Sequence, residues 1–365
     1  MEMLKFTKYA VEEMVKMMES RWDNMAKKSG YNARGSLAIS YDPISTEQPP
    51  KKGANPTQSK MNYEPNRQLV GMEEILKEEP SLKFQEKQPT TAKYEYEAKS
   101  ASSMRFAKEL GRRCIEDPKL DVSILYETQV KGITTATDTT SQKPRISELK
   151  TNRGVIHIPK DVKVVVAAGA WTPHVLALMD LYVPVYPLKG YAMSVSAKEA
   201  LKNNPKLTDQ DLPSRIVCDK YMFTTRLGDE IRITSIGEFS EWSTKPTGNV
   251  EQEFRREASR QFPQLKDLIA KAKTRCGHRP FVNDGILLLG ACDDTHENLY
   301  VSCGPGSNGW KLALGSGEVI ERLVSGQTTD QMAKELDFDP TAFSPAGRVL
   351  AAPVFAKLCR ARWDV

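Results

Sequence analysis

The sequence lacks any apolar run long enough to cross a bilayer. Its longest, residues 164–171, falls far short of the roughly 20 residues that a spanning helix needs. None of the six cysteines stands in a CxxC pair, and their wide spacing excludes both a zinc pattern and a compact disulfide framework. They are expected to be reduced packing residues in a reducing compartment. Histidine is scarce. His157, His174 and His296 are isolated in sequence, the pair Asp293–Asp294 reads as a solvated turn, and no metal role is assigned. No charge of one sign prevails: 52 basic against 47 acidic residues leave +5, scattered and without a basic stripe, so no nucleic-acid partner is expected. No glycine precedes Gly30, which excludes a glycine-rich phosphate loop before that point. The first 20 residues have glutamates and no apolar h-region, so they are no secretory signal. Their mixture of Lys and apolar residues raises a mitochondrial presequence, against which the glutamates and the absence of Arg argue. The expected location is cytoplasmic, with the mitochondrion as the alternative.

What is present suits a globular enzyme. At 365 residues, 39% hydrophobic and 27% charged, the chain can bury one large or two moderate cores. Apolar positions Leu4, Ala10, Val11, Met14, Val15, Met18 and Trp22 recur at helical spacing and predict an amphipathic helix over 4–25. Residues 30–60 turn to Pro, Gly, Ser, Thr and Lys, predicting a short strand at 36–41 and then loop. Helices are expected at 68–79, 103–114, 251–262 and 310–324, the third with Phe254, Ala258 and Phe262 inward and stopped by Pro263. Strands are expected at 122–126, at 129–135 and 154–158 around a polar excursion over 137–148, at 183–195, 286–289 and 299–302, and in a hairpin across 220–240 turning at Leu227–Gly228–Asp229. Residues 164–168 read as a strand buried on both faces. This alternation predicts an α/β (α+β) fold, with a nucleotide-binding half interleaved in sequence with a largely antiparallel β half.

Gly304–Pro305–Gly306–Ser307–Asn308–Gly309 matches G-x-G-x-x-G between a strand and a helix. A dinucleotide fingerprint also needs a second parallel strand after the helix, and the polar, Pro-punctuated segment after residue 324 offers none. A nicotinamide dehydrogenase is set aside on that ground. Two readings remain open from the segment itself: a helix N-terminus whose N–H groups favour an electron-rich ring, or a glycine turn that serves only close packing.

Four stretches carry a resemblance. VVVAAGAW (164–171) with Thr172–Pro173 resembles the strand and turn that contact FAD in D-amino-acid oxidase-like proteins. VPVYPLKGYAMSV (183–195) resembles the segment that follows in D-amino-acid dehydrogenases, GHRPFVNDGILLLG (277–290) that family's G-x-R-P-x-x-x-D-G segment, and 298–326 its C-terminal flavin segment. Each is short, but all four stand in the family's order across most of residues 1–345. The resemblance implies a FAD-binding domain of the glutathione-reductase type interleaved with an antiparallel substrate domain. It divides the chain into 1–29 as a linking helix, 30–95 in the substrate domain, 96–180 as the first FAD-binding part, 181–275 as the antiparallel domain, 276–345 as the second FAD-binding part and 346–365 as a tail. Family members begin with a strand, a true G-x-G-x-x-G and a helix that grip the ADP part of FAD. Such a unit is expected to precede these residues, to come from a partner chain, or to have been lost.

The resemblance further implies FAD as cofactor and a small amino acid or amine as substrate, giving up hydride from its α-carbon to flavin N5 while the protein orients it. Arg279 matches the arginine that would hold the substrate carboxylate in a planar fork, against the alternative of a surface ion pair. Tyr221, near Arg226 on the substrate-facing sheet, is a second candidate, as donor to the same carboxylate. Ala167, Ala168, Gly169, Trp171, Gly304, Gly306, Ser307, Asn308 and Gly309 are expected at the cofactor. Lys189 and Gly190, with Tyr191, are placed at the flavin edge, and Trp310 in packed core that touches it. His278 would face away from Arg279 by strand alternation. The expected function is a FAD-dependent oxidation of a D-amino acid or related amine. The alternative is a non-catalytic or partner-dependent remnant that binds no FAD by itself.

Overall fold

A computed structural model describes residues 1–21, 24–42, 66–137, 142–240 and 242–360. Strands run β1 (Ser36–Ser40), β2 (Asn66–Val70), β3 (Thr91–Glu95), β4 (Val130–Thr137), β5 (Pro144–Thr151), β6 (Gly154–His157), β7 (Val164–Val166), β8 (Leu181–Tyr182), β9 (Val185–Ser196), β10 (Ile216–Cys218), β11 (Met222–Leu227), β12 (Glu230–Glu238), β13 (Arg275–Val282), β14 (Leu288–Ala291), β15 (Leu299–Cys303) and β16 (Leu350–Ala351). Helices run α1 (Glu2–Lys16), α2 (Met25–Ser29), α3 (Met72–Glu78), α4 (Ser103–Glu116), α5 (Thr172–Ala177), α6 (Ala197–Asn203), α7 (Gly248–Gln261), α8 (Lys266–Lys271), α9 (Gly309–Val324), α10 (Thr329–Glu335) and α11 (Pro353–Arg360). The chain divides into two units, Met1–Arg21 with Cys114–Leu188 and His278–Val365, and Trp22–Arg113 with Lys189–Gly277. Residues 96–113, placed by the sequence with the first FAD-binding part, fall in the second of these.

The second unit is built on an eight-stranded sheet in the order β13-β9-β12-β11-β10-β1-β3-β2, antiparallel at every described pairing but β1 with β10; Val185–Leu188 of β9 and His278–Val282 of β13 are counted with the first unit. Period-2 alternation gives it one buried face. Tyr191, Met193 and Val195 of β9, Ile231 and Ile233 of β12 and Met222 of β11 point into a core that α7 closes with Phe254 and Ala258, followed by Phe262. The other face carries Ser194 and Phe223, both exposed. The expected hairpin turns through Gly228 (φ +69) and Asp229, with Leu227 paired to Glu230.

The first unit holds the sheets β14-β15-β7, β4-β5-β6 and β16-β8. β15 runs parallel to β7 and antiparallel to β14. α1 lies along α9: a Cβ on Gly315 would stand 2.6 Å from the Ala10 Cβ, so the contact depends on glycine. The buried Asn298 carboxamide accepts from Ile146 N–H at 2.8 Å, and donates to Ile146 O at 3.0 Å and Val162 O at 3.2 Å. One side chain thus fixes β5 beside the start of β15.

Several expectations need correction. The helix predicted over 4–25 is α1, then a π-turn at Met17–Arg21 and a separate α2; Val11 is exposed, and Trp22 lies outside the described residues. Residues 68–70 are not helical but belong to β2, because Gly71 at φ +82 breaks the backbone before α3. The polar excursion at 137–148 contains most of β5, whose pairing with β4 and β6 and capture by Asn298 override its composition. Residues 122–126 form no strand; their side chains are exposed and no described strand pairs with them. β7 is shorter than 164–168 and is not buried on both faces, since Val165 is 40% exposed while Val166 is buried. β3 carries no signal that the sequence reading used. Residues 43–60 of the predicted loop lie outside the described residues.

Candidate active site

In the first unit the site grows from two parallel strands that end on glycine. The register pairs Leu299 with Val164, Tyr300 with Val165 and Val301 with Val166. Ala167, Ala168 and Gly169 therefore leave β7 at the end where Ser302, Cys303 and Gly304 close β15. Gly169 adopts φ +56 and Gly304 φ +78. Gly304 admits no side chain, because an added Cβ would meet Val282 Cγ1 at 2.9 Å, and its φ strains any L residue. Beyond it, Gly306–Asn308 makes a 3-10 turn into α9. Ser307 and Asn308 are exposed, Gly309 and Trp310 half-buried. No side chain caps α9 and its first turn carries no acidic residue, so nothing on the helix opposes an electron-rich group at that end. Trp171 is exposed, with its ring 5.1 Å from that of His174.

Arg279 belongs to the same unit. It precedes by three residues the Val282 that packs on Gly304, which puts its Cα roughly 10 Å along β13 from that contact. Burial lowers the Arg279 pKa from the usual arginine value. Arg322, by contrast, is raised, through its hydrogen bond with Glu318. A half-buried guanidinium of the Arg279 kind gains most from an anion that brings two oxygens to its fork.

The second unit holds Lys189, Gly190 and Tyr221. The Lys189 side chain is 1% exposed, and its ammonium meets Glu238 Oε1 at 2.9 Å, Lys245 O at 3.1 Å and Thr247 Oγ1 at 3.1 Å. Its three N–H donors are thereby used, and alternation turns it to the buried face. The side-chain contact expected at a flavin edge is corrected accordingly. Burial would raise the Glu238 carboxyl, but hydrogen bonds from Tyr191 (2.6 Å), Lys189 and Thr247 (2.7 Å) hold it down at about 2. Glu238 and Thr247 complete this network and were missed; neither stands near Lys189 in sequence. Gly190 faces the open side. Tyr221 is 43% exposed at the start of β11, on the same face as Phe223. Tyr221 and Gly190 flank β12 at nearly one level, two strand spacings or roughly 10 Å apart. Arg226 is committed to Asp209 at 2.9 Å. Phe223, Thr225, Arg232 and Thr234 share the open face by register and were missed as site candidates, though the alternation of β11 and β12 was sufficient to assign them. No cluster of metal-ligating groups occurs among the described residues.

The sequence profile described as DAO, FAD dependent oxidoreductase, matches residues 2–323. The chain belongs to this family. Among DAO relatives, it is 29% identical over 222 residues to the D-amino acid dehydrogenase of Granulibacter bethesdensis, covering 61% of this chain and 48% of that protein. It is 26% identical over 268 residues to the D-amino acid dehydrogenase of Vibrio vulnificus, covering 73% and 58%. The matches thus span about half the length of these relatives. In structure it is similar to glycine oxidase from Geobacillus kaustophilus, with a TM-score of 0.68 at 20% identity over 94% of this chain and 83% of that one. L-proline dehydrogenase from P. horikoshii gives 0.63 at 18% identity over 91% and 83%. The mixed architecture is therefore that of the DAO fold, and the cofactor of the family is FAD. No described helix is long and apolar enough to cross a membrane.

Proposed function

We propose that these residues form the flavin-facing and substrate-facing parts of an FAD-dependent oxidoreductase that oxidises the CH–NH bond of a D-amino acid or related amine. The observation that carries this reading is the pair of glycine turns at the ends of β7 and β15, with the strand of Arg279 seated on one of them. Gly304 lets Val282 and Leu288 pack on the turn where a Cβ would clash, and the N–H groups opening α9 beyond it favour the charge that a flat ring gains on reduction. When bound, flavin supplies the hydride acceptor. Arg279 binds the substrate carboxylate and so fixes the direction in which the α-carbon points. In the second unit, Tyr221 offers a phenol as a candidate hydrogen-bond donor to a substrate, and Gly190 presents bare backbone on the open face. The ADP half of FAD we assign to a strand–glycine-turn–helix unit beyond these residues. The family match along 2–323 favours an enzyme over a remnant of the fold.

The visible spectrum of the purified protein, before and after addition of FAD, tests the reading. The yellow absorbance of bound oxidised flavin is expected. A folded protein that stays colourless with FAD in excess would overturn it for this chain.

A further inference from the structure

Strands β9, β11 and β12 carry three cationic side chains, and two of them have carboxylate partners. Lys189 meets Glu238 at 2.9 Å and Arg226 meets Asp209 at 2.9 Å. Arg232, half-buried on β12, has no hydrogen bond or ion pair among the described residues. Its neighbours Ile231 and Ile233 are fully buried, so alternation turns Arg232 to the open face of the sheet. Glu230, two residues before it on the same face, is already taken. One of its oxygens accepts from Arg105 Nη2 at 2.7 Å and the other from Ser194 Oγ at 2.6 Å. The register sets Ser194 of β9 and Thr225 of β11 directly beside Arg232, each about 5 Å away between Cβ atoms. Both side chains are short and end in hydroxyls. Phe223, the diagonal neighbour on β11, is 52% exposed. An unmatched guanidinium, a hydroxyl beside it and an uncovered ring thus share one patch of one face.

We propose that this patch recognises a carboxylate at the side-chain end of the substrate, with Arg232 as the residue that selects acidic amino acids. The planar fork of arginine matches the two coplanar oxygens of a carboxylate, and the pair is strongest where the cation is partly withdrawn from water. Charge narrows the class. One unmatched cation balances a monoanion, whereas a phosphate brings about two charges and calls for more donors than β9, β11 and β12 leave free. Thr225 offers a further hydroxyl donor to the same oxygens, while that of Ser194 is spent on Glu230. Phe223 supplies apolar surface for the methylenes that lead to such a carboxylate. Arg232 therefore acts on the choice of substrate and not on hydride transfer. The inference rests on the proposed oxidation only for calling the ligand a substrate; the carboxylate site itself asks nothing of the flavin.

The probes are D-glutamate and D-glutamine, which match in size and differ in charge at the side-chain end. Each is titrated into the full chain by isothermal calorimetry, with and without FAD in excess. D-glutamate is expected to bind about tenfold more tightly or better. Arg232→Gln should abolish that preference, weakening D-glutamate by about tenfold and leaving D-glutamine unchanged. Arg232→Lys, which keeps the charge without the fork, should restore part of it. In amide NMR spectra, saturating D-glutamate should shift Ser194 and Thr225 more than D-glutamine does. Circular dichroism verifies that the variants fold. The proposal fails if the two ligands bind alike, if neither binds, if Arg232→Gln weakens both equally, or if the D-glutamate shifts bypass β11 and β12. A preference for D-glutamate that requires Arg232, in a protein that takes up no flavin, would leave this inference standing and sink the flavin reading. A flavin-loaded protein that oxidises D-amino acids without that preference would do the reverse.

Discussion

The eight-stranded sheet and the three-stranded sheet β14-β15-β7 treat their polar and apolar groups in opposite ways. In the eight-stranded sheet even a buried lysine is matched: Lys189 is held by Glu238, Thr247 and the Lys245 carbonyl, and Tyr191 and Thr247 also donate to Glu238. In the three-stranded sheet the valine strand β7 is an edge among the described residues, and its Val165 is 40% exposed. The first arrangement is complete by itself and so confers stability. The second is complete only at its glycine turns and its β15 ladder, and its remaining surface is suited to contact with something else. Stability and recognition thus draw on different parts of the chain.

Substitutions can break or sharpen that contrast. The largest effect is expected for Lys189→Ala, which strands the Glu238 carboxylate beside a new cavity and should cost about 3–5 kcal/mol in urea unfolding. Its pH dependence follows from sign. Glu238 is depressed on folding from the usual 4.5 to about 2, so its contribution is full above 4.5 and fades as pH falls through that interval. Lys189 is raised against its burial by Glu238, so its contribution is full below the ordinary lysine value and is lost as pH rises past its folded pKa. The gap between wild type and Lys189→Ala should therefore narrow on acidification below 4.5. A gap that stays constant would remove the ion pair as its cause.

Asn298→Ala comes next, at about 2–3 kcal/mol, because Ile146 loses both partners in a buried setting. Near-zero cost would show that β5 holds its place without the carboxamide. Arg279→Leu should lower kcat/KM roughly 10–100-fold through KM, with flavin content unchanged, as for the loss of a charged hydrogen-bonded contact. Unaltered kinetics would discard the carboxylate role. Val165→Thr should shift stability by no more than about 0.5 kcal/mol. A cost near that of Lys189→Ala would mean that the edge is closed after all, and the contrast between the sheets would collapse.

Much of the architecture was legible because periodicity survives in sequence. The α7 face of Phe254, Ala258 and Phe262 and the hairpin at Gly228–Asp229 follow from spacing alone. The reading against a nicotinamide fingerprint likewise came from the polar composition after 324, where among the described residues α9 is followed by α10 and the later β16 pairs antiparallel with β8. What was hidden depended on distant partners. β5 is polar and becomes a strand through β4, β6 and Asn298. Residues 122–126 have strand composition but no partner among the described strands, so composition overstated them. For the site, the glycine turns and Arg279 stood out as motifs, whereas the capture of Lys189 by Glu238 and Thr247 joins residues some 50 positions apart through sheet register.

The close approach of Ala10 to Gly315 also constrains how the protein is made. These residues are 305 positions apart, yet their helices touch with no room for one added carbon. At about 5–20 residues per second of synthesis, the apolar face of α1 waits roughly 15–60 s before α9 leaves the ribosome. Throughout that interval Phe6 and Ala10 have no native partner on α9, and the nascent chain is a client for chaperones at α1.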